Sequence, residues 1–262
     1  MVSVPVTPWE ARDDSLAERI PPETTVYEVP FPYGRISRYA VAVLGYSAWL
    51  PRALLKVRKL LKTGKYDAIL TSGPPHVVHQ LGVYGKKLGV PWVADFRDPF
   101  SGIGNLDWVP QPRQWGDAVI TKRDPKTIAT ADAVIANAPR IAELFKEKLP
   151  AIAGRVDYVT NGYDPEDFQT PDSESIAPPG PDEPVTIVHT GGIYAGRDPI
   201  PVAEAVGELN ASNALGRKIV LKFVGTWDPN VIDLHGEIAK RNLGDCVTTV
   251  GRVPYGQVIK EI

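Results

Sequence analysis

The sequence predicts an α/β protein built on parallel β-sheets. Short runs rich in β-branched residues alternate with longer amphipathic stretches, the pattern that repeated strand–helix–strand units produce. Several of the helical stretches begin with a proline, which suits the first turn of a helix. Both observations favour sheets whose strands run in one direction and are joined by crossing helices.

Eight runs are predicted as strands and five as helices. The strand runs are Thr24 or Thr25 to Val29, Asp67 to Ser72, Val90 to Asp95, Asp132 to Asn137, Val156 to Asn161, Val185 to Thr190, Lys218 to Gly225 and Cys246 to Gly251. The helical runs are Ala48 to Leu61, Pro75 to Leu88, Pro139 to Lys148, Pro199 to Leu209 and Pro229 to Leu243.

The segment Thr170 to Pro184 is rich in proline, acidic residues and serine, so we predict a linker there. It separates a domain of residues 1–169 from a second domain of residues 185–262. The second domain has three of the predicted strands, whereas doubly wound sheets usually carry about five or six. We therefore expect it to be part of a larger domain.

The composition is that of a soluble globular protein, with 43% hydrophobic and 23% charged residues. A formal net charge of −2 lacks the basic character typical of nucleic-acid-binding proteins. The single cysteine, Cys246, excludes an intrachain disulfide and a multi-cysteine metal site. The sequence shows neither a membrane-spanning apolar run nor a signal peptide, so we expect a cytoplasmic protein.

The segment Thr71 to Gly82 places a Ser-Gly-Pro-Pro turn between a strand and an apolar helix. Open parallel sheets bind ligands at this carboxyl end of their strands, and a helix start exposes N–H groups that can hold an anion or hydroxyl. Ser72, Gly73 and His76 are therefore candidate ligand contacts, whereas His79 is predicted to pack in the core. By itself the segment favours a tight turn without a ligand.

Three charged residues, Asp95, Arg97 and Asp98, directly follow the next strand. Alternation along a strand places Asp95 and Arg97 on one side and Asp98 on the other. Charges at the end of a buried strand are costly unless they are paired or used. A structural salt bridge between Asp95 and Arg97 is one interpretation, and Asp98 is a candidate to orient the next loop or to accept a hydrogen bond from a ligand hydroxyl.

After the linker, a strand is followed by a glycine turn and an arginine ahead of a helix. Ile193 stands where the dinucleotide fingerprint requires glycine, and Arg197 and Asp198 stand where a P-loop requires Lys and Ser or Thr. A glycine turn lets the main chain approach a ligand, and arginine forms charge-assisted bonds to phosphate oxygens. The segment favours a diphosphate site at Gly191, Gly192 and Arg197, with a solvated loop arginine as the alternative.

In combination, these segments resemble the successive sequence blocks of family 4 glycosyltransferases. The acceptor-domain signature is carried by Thr71 to Gly82 and Pro91 to Phe100, and the later blocks are Ala131 to Pro139, Val159 to Phe168, Val188 to Pro199, Leu221 to Asp228 and Cys246 to Val258. The resemblance implies two Rossmann-like parallel-sheet domains of the GT-B type. The N-terminal domain is expected to bind the acceptor and the C-terminal domain the nucleotide sugar, with transfer that retains anomeric configuration and uses no metal ion or cofactor.

The resemblance also implies roles for residues. Arg197, in the place of a phosphate-binding Lys or Arg, and Asp98 are the predicted catalytic residues. The other predicted donor contacts are Gly191, Gly192, Gly225, Thr226, Gly251, Arg252 and Val253. The predicted acceptor-side residues are Ser72, Gly73, His76, Asp95, Arg97, Asp98 and Asn161. Gly192 departs from the second phosphate-binding arginine of many members, and Arg97 stands near a histidine of many members.

The same resemblance implies a leading strand with a glycine-rich turn and, later, a block with donor-binding glutamates. Neither is found in the 262 residues. We therefore expect both domains to be incomplete and the fragment to be inactive alone. A sugar-nucleotide epimerase of the same fold and a non-catalytic nucleotide-binding remnant are the alternatives, while the failed glycine fingerprint disfavours a dehydrogenase.

The stretch from Arg35 to Lys65 contains eight basic residues and no acidic residue, interleaved with apolar ones. This pattern is typical of a packed helix with a solvated basic face, or of a helix that lies on an anionic membrane. The family's acceptors are often lipid-linked or membrane-borne, so the resemblance supports peripheral attachment at the inner face of the plasma membrane and a role in polysaccharide biosynthesis. Both interpretations of the stretch stay open.

Overall fold

The computed structural model describes residues 1–4, 17–32, 41–99, 115–122, 124–168, 180, 183–194 and 197–262. The chain divides into two compact units, one of residues 1–11 and 21–162 and the other of residues 12–20 and 163–262. The predicted linker falls mainly outside the described residues. The domain limits of 169 and 185 therefore stay a prediction.

The first unit contains a two-stranded and a four-stranded sheet. In the smaller sheet, β1 (Val2–Ser3) is parallel to β2 (Tyr27–Glu28). The larger parallel sheet has the order β3 (Ile69–Gly73), β4 (Trp92–Phe96), β5 (Ala133–Ala136) and β6 (Val156–Tyr158). The helices are α1 (Leu50–Leu61), α2 (His79–Lys87), α3 (Trp115–Thr121), α4 (Asp124–Ile128) and α5 (Pro139–Lys148).

The core of the first unit is formed where helices cover the larger sheet. Strand β4 contributes Trp92 and Phe96, both fully buried. Phe96 meets Phe145 of α5 edge-on, with ring centres 5.2 Å apart. Helix α2 lies directly on the indole of Trp92, because a methyl group added at Gly82 would be only 2.0 Å from Trp92 Nε1. This close packing fixes the turn between β3 and α2 at the carboxyl end of the sheet.

The second unit contains a three-stranded parallel sheet in the order β7 (Val185–Thr190), β8 (Ile219–Val224) and β9 (Val247–Gly251). Its helices are α6 (Ile200–Ala211), α7 (Leu234–Lys240) and α8 (Tyr255–Glu261). Pairing continues past the strand ends, since Gly191 N donates to Val224 O at 2.9 Å and Ile193 N to Thr226 O at 2.9 Å. The glycine turn after β7 is thereby held against the chain that follows β8.

The predicted fold class is confirmed, because every named strand pairs in parallel with its neighbours. All eight predicted strands are present, with ends that move by at most three residues. The helix predicted from Pro229 is wrong in its first turn, because Asp233 caps α7 by accepting a hydrogen bond from Gly236 N. The helix predicted from Pro75 begins with a 3-10 turn at His76–Val78. Strand β1 and helices α3 and α4 were not predicted as elements.

Candidate functional site

A cleft of about 240 Å³ opens at the carboxyl ends of the strands in the second unit. Its lining consists of Thr190, Gly191, Gly192, Val224, Gly225, Thr226, Arg252, Val253 and Val258. Six of the predicted donor contacts therefore lie around one depression. A seventh, Gly251, accepts a hydrogen bond from Gly225 N at 2.8 Å and so adjoins the same turn.

Two glycines allow the main chains in this cleft to approach each other. Gly225 has a φ of +146°, and a methyl group added to it would lie 2.0 Å from the carbonyl oxygen of Gly191. Gly191 has a φ of +131°. Residues with a side chain rarely adopt these positive φ angles, so the floor of the cleft depends on glycine at both positions.

Arg197, the predicted phosphate-binding residue, lies beside this cleft and is absent from its lining. Its guanidinium stacks on the ring of Tyr194, 4.4 Å from the ring centre, and its main-chain N donates to Tyr194 O at 2.9 Å. The side chain is exposed and faces a separate depression that includes Asp233, Glu237 and Arg241. The basic residue that does line the glycine cleft is Arg252.

At the carboxyl end of the sheet in the first unit, Asp95 is the buried centre of a polar network. Ser72 Oγ donates to Asp95 Oδ2 at 2.6 Å, and Arg97 Nη1 lies 3.3 Å from Asp95 Oδ1. Arg97 also donates to Val159 O at 3.4 Å, beyond the end of β6. The salt bridge predicted between Asp95 and Arg97 is present, and its Asp95 carboxylate connects β3 with the residues after β4.

The remaining acceptor-side candidates differ in their surroundings. Gly73 O accepts a hydrogen bond from Arg97 N at 2.9 Å. Asp98 follows β4 and Asn161 follows β6, and both are exposed at the carboxyl end of their strands. Asn137 was considered only as a strand end, yet its Nδ2 donates to the carbonyl oxygen of Arg97. Asparagine directly after β5 was the available signal for that contact.

His76, which is half-buried, and His79, which is buried, lie together next to Gly73. His79 is 1% exposed, and its Nδ1 lies 2.9 Å from Thr71 Oγ1, which accepts from Trp92 Nε1 at 2.7 Å. The pKa of His76 is lowered to about 4 by burial, against a raising hydrogen bond with the main chain of Pro99. Burial and then the charge of His76 lower the pKa of His79 to about 3. Both imidazoles are therefore neutral at pH 7, and His79 packs in the core.

These lowered pKa values predict a stability that falls in mild acid. Above about pH 6.5 the two histidines are mostly neutral in both the folded and the unfolded chain. As the pH falls below this value, the unfolded chain binds protons at these histidines and the folded chain does not, because the folded-state pKa values are lower. At about pH 5 the loss should be about 2 kcal/mol for each histidine. Urea unfolding at about pH 7.5 and pH 5 measures it, and His79→Leu should remove about half of the difference. Equal stability of the parent protein at the two pH values would contradict this prediction.

Within the described ranges, no group of three or more His, Cys, Asp or Glu side chains is arranged to hold a metal ion. Among the helices of the same ranges, none has the length and apolar character needed to cross a bilayer.

The sequence matches the model of the glycosyl transferase 4-like domain over residues 3–162. This chain belongs to that family. The match ends at Gly162, the last residue of the first unit. A comparison with curated protein sequences gave no match.

Solved structures with a similar fold include sucrose-phosphate synthase from Thermosynechococcus elongatus, with a TM-score of 0.53 and 19% identity over 82% of this chain and 53% of that one. The lipopolysaccharide outer core galactosyltransferase WaaB has a TM-score of 0.53 and 12% identity over 95% of this chain and 57% of that one. UDP-GlcNAc 2-epimerase from Methanocaldococcus jannaschii has a TM-score of 0.50 and 12% identity over 94% of this chain and 65% of that one. The chain thus spans between about half and two thirds of these structures and has the GT-B type of fold.

Proposed function

We propose that this chain takes part in the transfer of a sugar from a nucleoside diphosphate donor to a saccharide or lipid-linked acceptor. The observation that carries the proposal is the cleft in the second unit, where six residues expected to contact the donor lie together. Membership in the glycosyl transferase 4-like family supports the acceptor role of the first unit. The exposed Asp98 is the candidate to hold an acceptor or sugar hydroxyl there.

The chemistry of such a transfer places its main demand on the leaving group. As the bond between the sugar and the diphosphate breaks, negative charge develops on the phosphate oxygens, and fixed positive charge stabilises it. Arg252 lines the glycine cleft and Arg197 lies beside it. We assign the diphosphate to Arg197. We propose that the reaction retains anomeric configuration and needs no metal ion, so arginine supplies the charge.

The proposed donor site is tested by calorimetric titration with UDP, GDP and ADP in the presence of EDTA. We expect one of the three to bind and to keep its affinity in EDTA. Failure to bind any of the three nucleotides would contradict the donor site. Binding only with added divalent metal would contradict the proposal that no metal ion is needed. A sugar-nucleotide epimerase of the same fold is the alternative, and it would convert UDP-GlcNAc without any acceptor. NMR spectra of UDP-GlcNAc incubated with the protein would reveal that conversion.

Gly192 offers a test in which affinity should increase. Many family members have a second phosphate-binding arginine at this position. The main chain at Gly192 does not have a positive φ, and an added methyl group would be 3.5 Å from Tyr194 Cδ1, an ordinary contact. Gly192→Arg should therefore fold normally and tighten diphosphate binding about tenfold, because a hydrogen bond to a charged group stabilises by about 1.5–3 kcal/mol. Gly244→Arg, at an open position, is the matched control and should have no effect.

We also propose peripheral contact with anionic membrane through α1. Arg52 and Lys56 are used internally, since Arg52 Nη1 donates to Phe31 O at 2.8 Å and Lys56 Nζ lies 3.8 Å from the centre of the Tyr27 ring. Four other basic residues, Arg58, Lys59, Lys62 and Lys65, are exposed, and Leu55 is 60% exposed on the same side of the helix. Arg35 and Arg38 lie outside the described residues. An apolar residue among exposed cations suits the surface of an anionic bilayer.

The membrane contact predicts binding that depends on charge and salt. Vesicles of phosphatidylglycerol and phosphatidylcholine should bind the protein more tightly than phosphatidylcholine alone, and salt should weaken the difference. Reversing two charges in Lys59→Glu/Lys62→Glu should reduce binding at least about tenfold, since each cation near the surface contributes about 1 kcal/mol. Lys146→Glu/Lys148→Glu on α5 has the same net charge and should bind normally. Equal losses in both variants would assign the effect to net charge.

A further inference from the structure

The ring of Tyr194 lies between the glycine cleft and the guanidinium of Arg197. On one side, the ring edge is beside Gly192, with Cδ1 and Cε1 at 3.5 and 3.7 Å from an added methyl group. On the other side, the Arg197 guanidinium covers the ring at 4.4 Å from its centre. The main chain closes the same turn through the hydrogen bond from Arg197 N to Tyr194 O. One aromatic ring therefore sets the distance of the cation from the edge of the cleft.

The stacking holds the guanidinium without neutralising it. In the part of the chain that the structure describes, no carboxylate forms an ion pair with Arg197. The adjacent Asp198 is used elsewhere, because its Oδ1 accepts a hydrogen bond from Ile200 N at the start of α6. An aromatic face attracts a cation but leaves its N–H groups at the rim able to donate to an anion. Arg197 is thus held against the ring with its N–H groups available to an anion.

We propose that Tyr194 is a positioning residue for the diphosphate site and acts through Arg197. The inference rests on the proposed function, because it assigns the diphosphate to Arg197. By holding the long arginine side chain against the ring, at a set distance from the edge of the glycine cleft, Tyr194 lowers the conformational entropy that Arg197 loses when the ligand binds. The contact with Arg197 is made by the aromatic face and not by the hydroxyl, so phenylalanine should fulfil the same role as tyrosine.

A double-mutant cycle tests the proposal by titration with whichever of UDP, GDP and ADP binds the parent protein. Tyr194→Leu should weaken binding about two- to fivefold, the strength expected of an exposed cation–π contact. Tyr194→Phe should bind like the parent. In an Arg197→Ala background, Tyr194→Leu should have no further effect, because the residue through which it acts is gone.

The other outcomes each contradict a distinct statement. Tighter binding by Tyr194→Leu would show that the ring holds Arg197 away from the ligand, and unchanged binding would show that it does not position Arg197. An equal loss in the Arg197→Ala background would mean that the ring contacts the ligand or supports the fold directly. An unchanged Kd of Arg197→Ala itself would overturn the assignment of the diphosphate to Arg197, on which the role of Tyr194 depends. Failure of the parent to bind any of the three nucleotides would overturn both the donor site and this inference.

Discussion

Replacement of Arg197 by alanine is expected to weaken nucleoside diphosphate binding about ten- to a hundredfold. A hydrogen bond to a charged group contributes about 1.5–3 kcal/mol, and about 1.4 kcal/mol corresponds to a factor of ten in affinity. Gly192 supplies no second arginine, so the loss should not be compensated at that position. Arg197→Lys should retain part of the affinity, because the charge survives while the planar, bidentate group is lost.

Calorimetric titration of three arginine variants decides which cation holds the diphosphate. Arg252→Ala removes the basic residue that lines the cleft, and Arg140→Ala removes an exposed arginine of the first unit. We expect the largest loss in Arg197→Ala and none in Arg140→Ala. A normal Kd in Arg197→Ala together with a large loss in Arg252→Ala would transfer the role to Arg252 and leave Arg197 as a solvated loop residue.

Gly225→Ala is expected to destroy the donor cleft and to destabilise the second unit by about 3 kcal/mol or more. The main chain at this position has a φ of +146°, which disfavours any side chain. The added methyl group would also lie 2.0 Å from the carbonyl oxygen and 2.7 Å from the carbonyl carbon of Gly191. A strained main-chain conformation costs about 1–3 kcal/mol and overpacking about 1–3 kcal/mol more, and main chain cannot move away as a flexible side chain can.

Urea unfolding and nucleotide titration of Gly225→Ala measure the two parts of that effect. Gly244→Ala is the matched control, because its φ is not positive and no atom lies within 4 Å of the added methyl group. The control should change the free energy of unfolding by less than about 0.5 kcal/mol. If Gly225→Ala binds nucleotide with the affinity of the parent, the close approach of the two glycine turns is not needed for the site.

The sequence by itself determined the fold class, and its resemblance to family 4 glycosyltransferases implied the donor contacts. Strands β7 to β9 are short runs rich in β-branched residues and bounded by glycine or loop residues, a local pattern that predicts strands. The glycines that follow β7 and β8 are also local signals, because glycine at the end of a strand indicates a turn. That Gly191 and Gly225 border one site was implied by the resemblance to family 4 glycosyltransferases and not by a local pattern.

Only the tertiary structure decided which side chains meet across that framework. The stack of Arg197 on Tyr194 and the position of Arg197 beside the cleft depend on loop geometry, which no periodic pattern encodes. The contact of Asn137 with Arg97 O joins residues 40 positions apart. Gly225 must be glycine because Gly191 O lies against it, and the sequence cannot show that the two turns touch. Local sequence patterns predict where strands, helices and turns lie. These contacts, in contrast, form only when packing brings distant segments within hydrogen-bond and van der Waals distance.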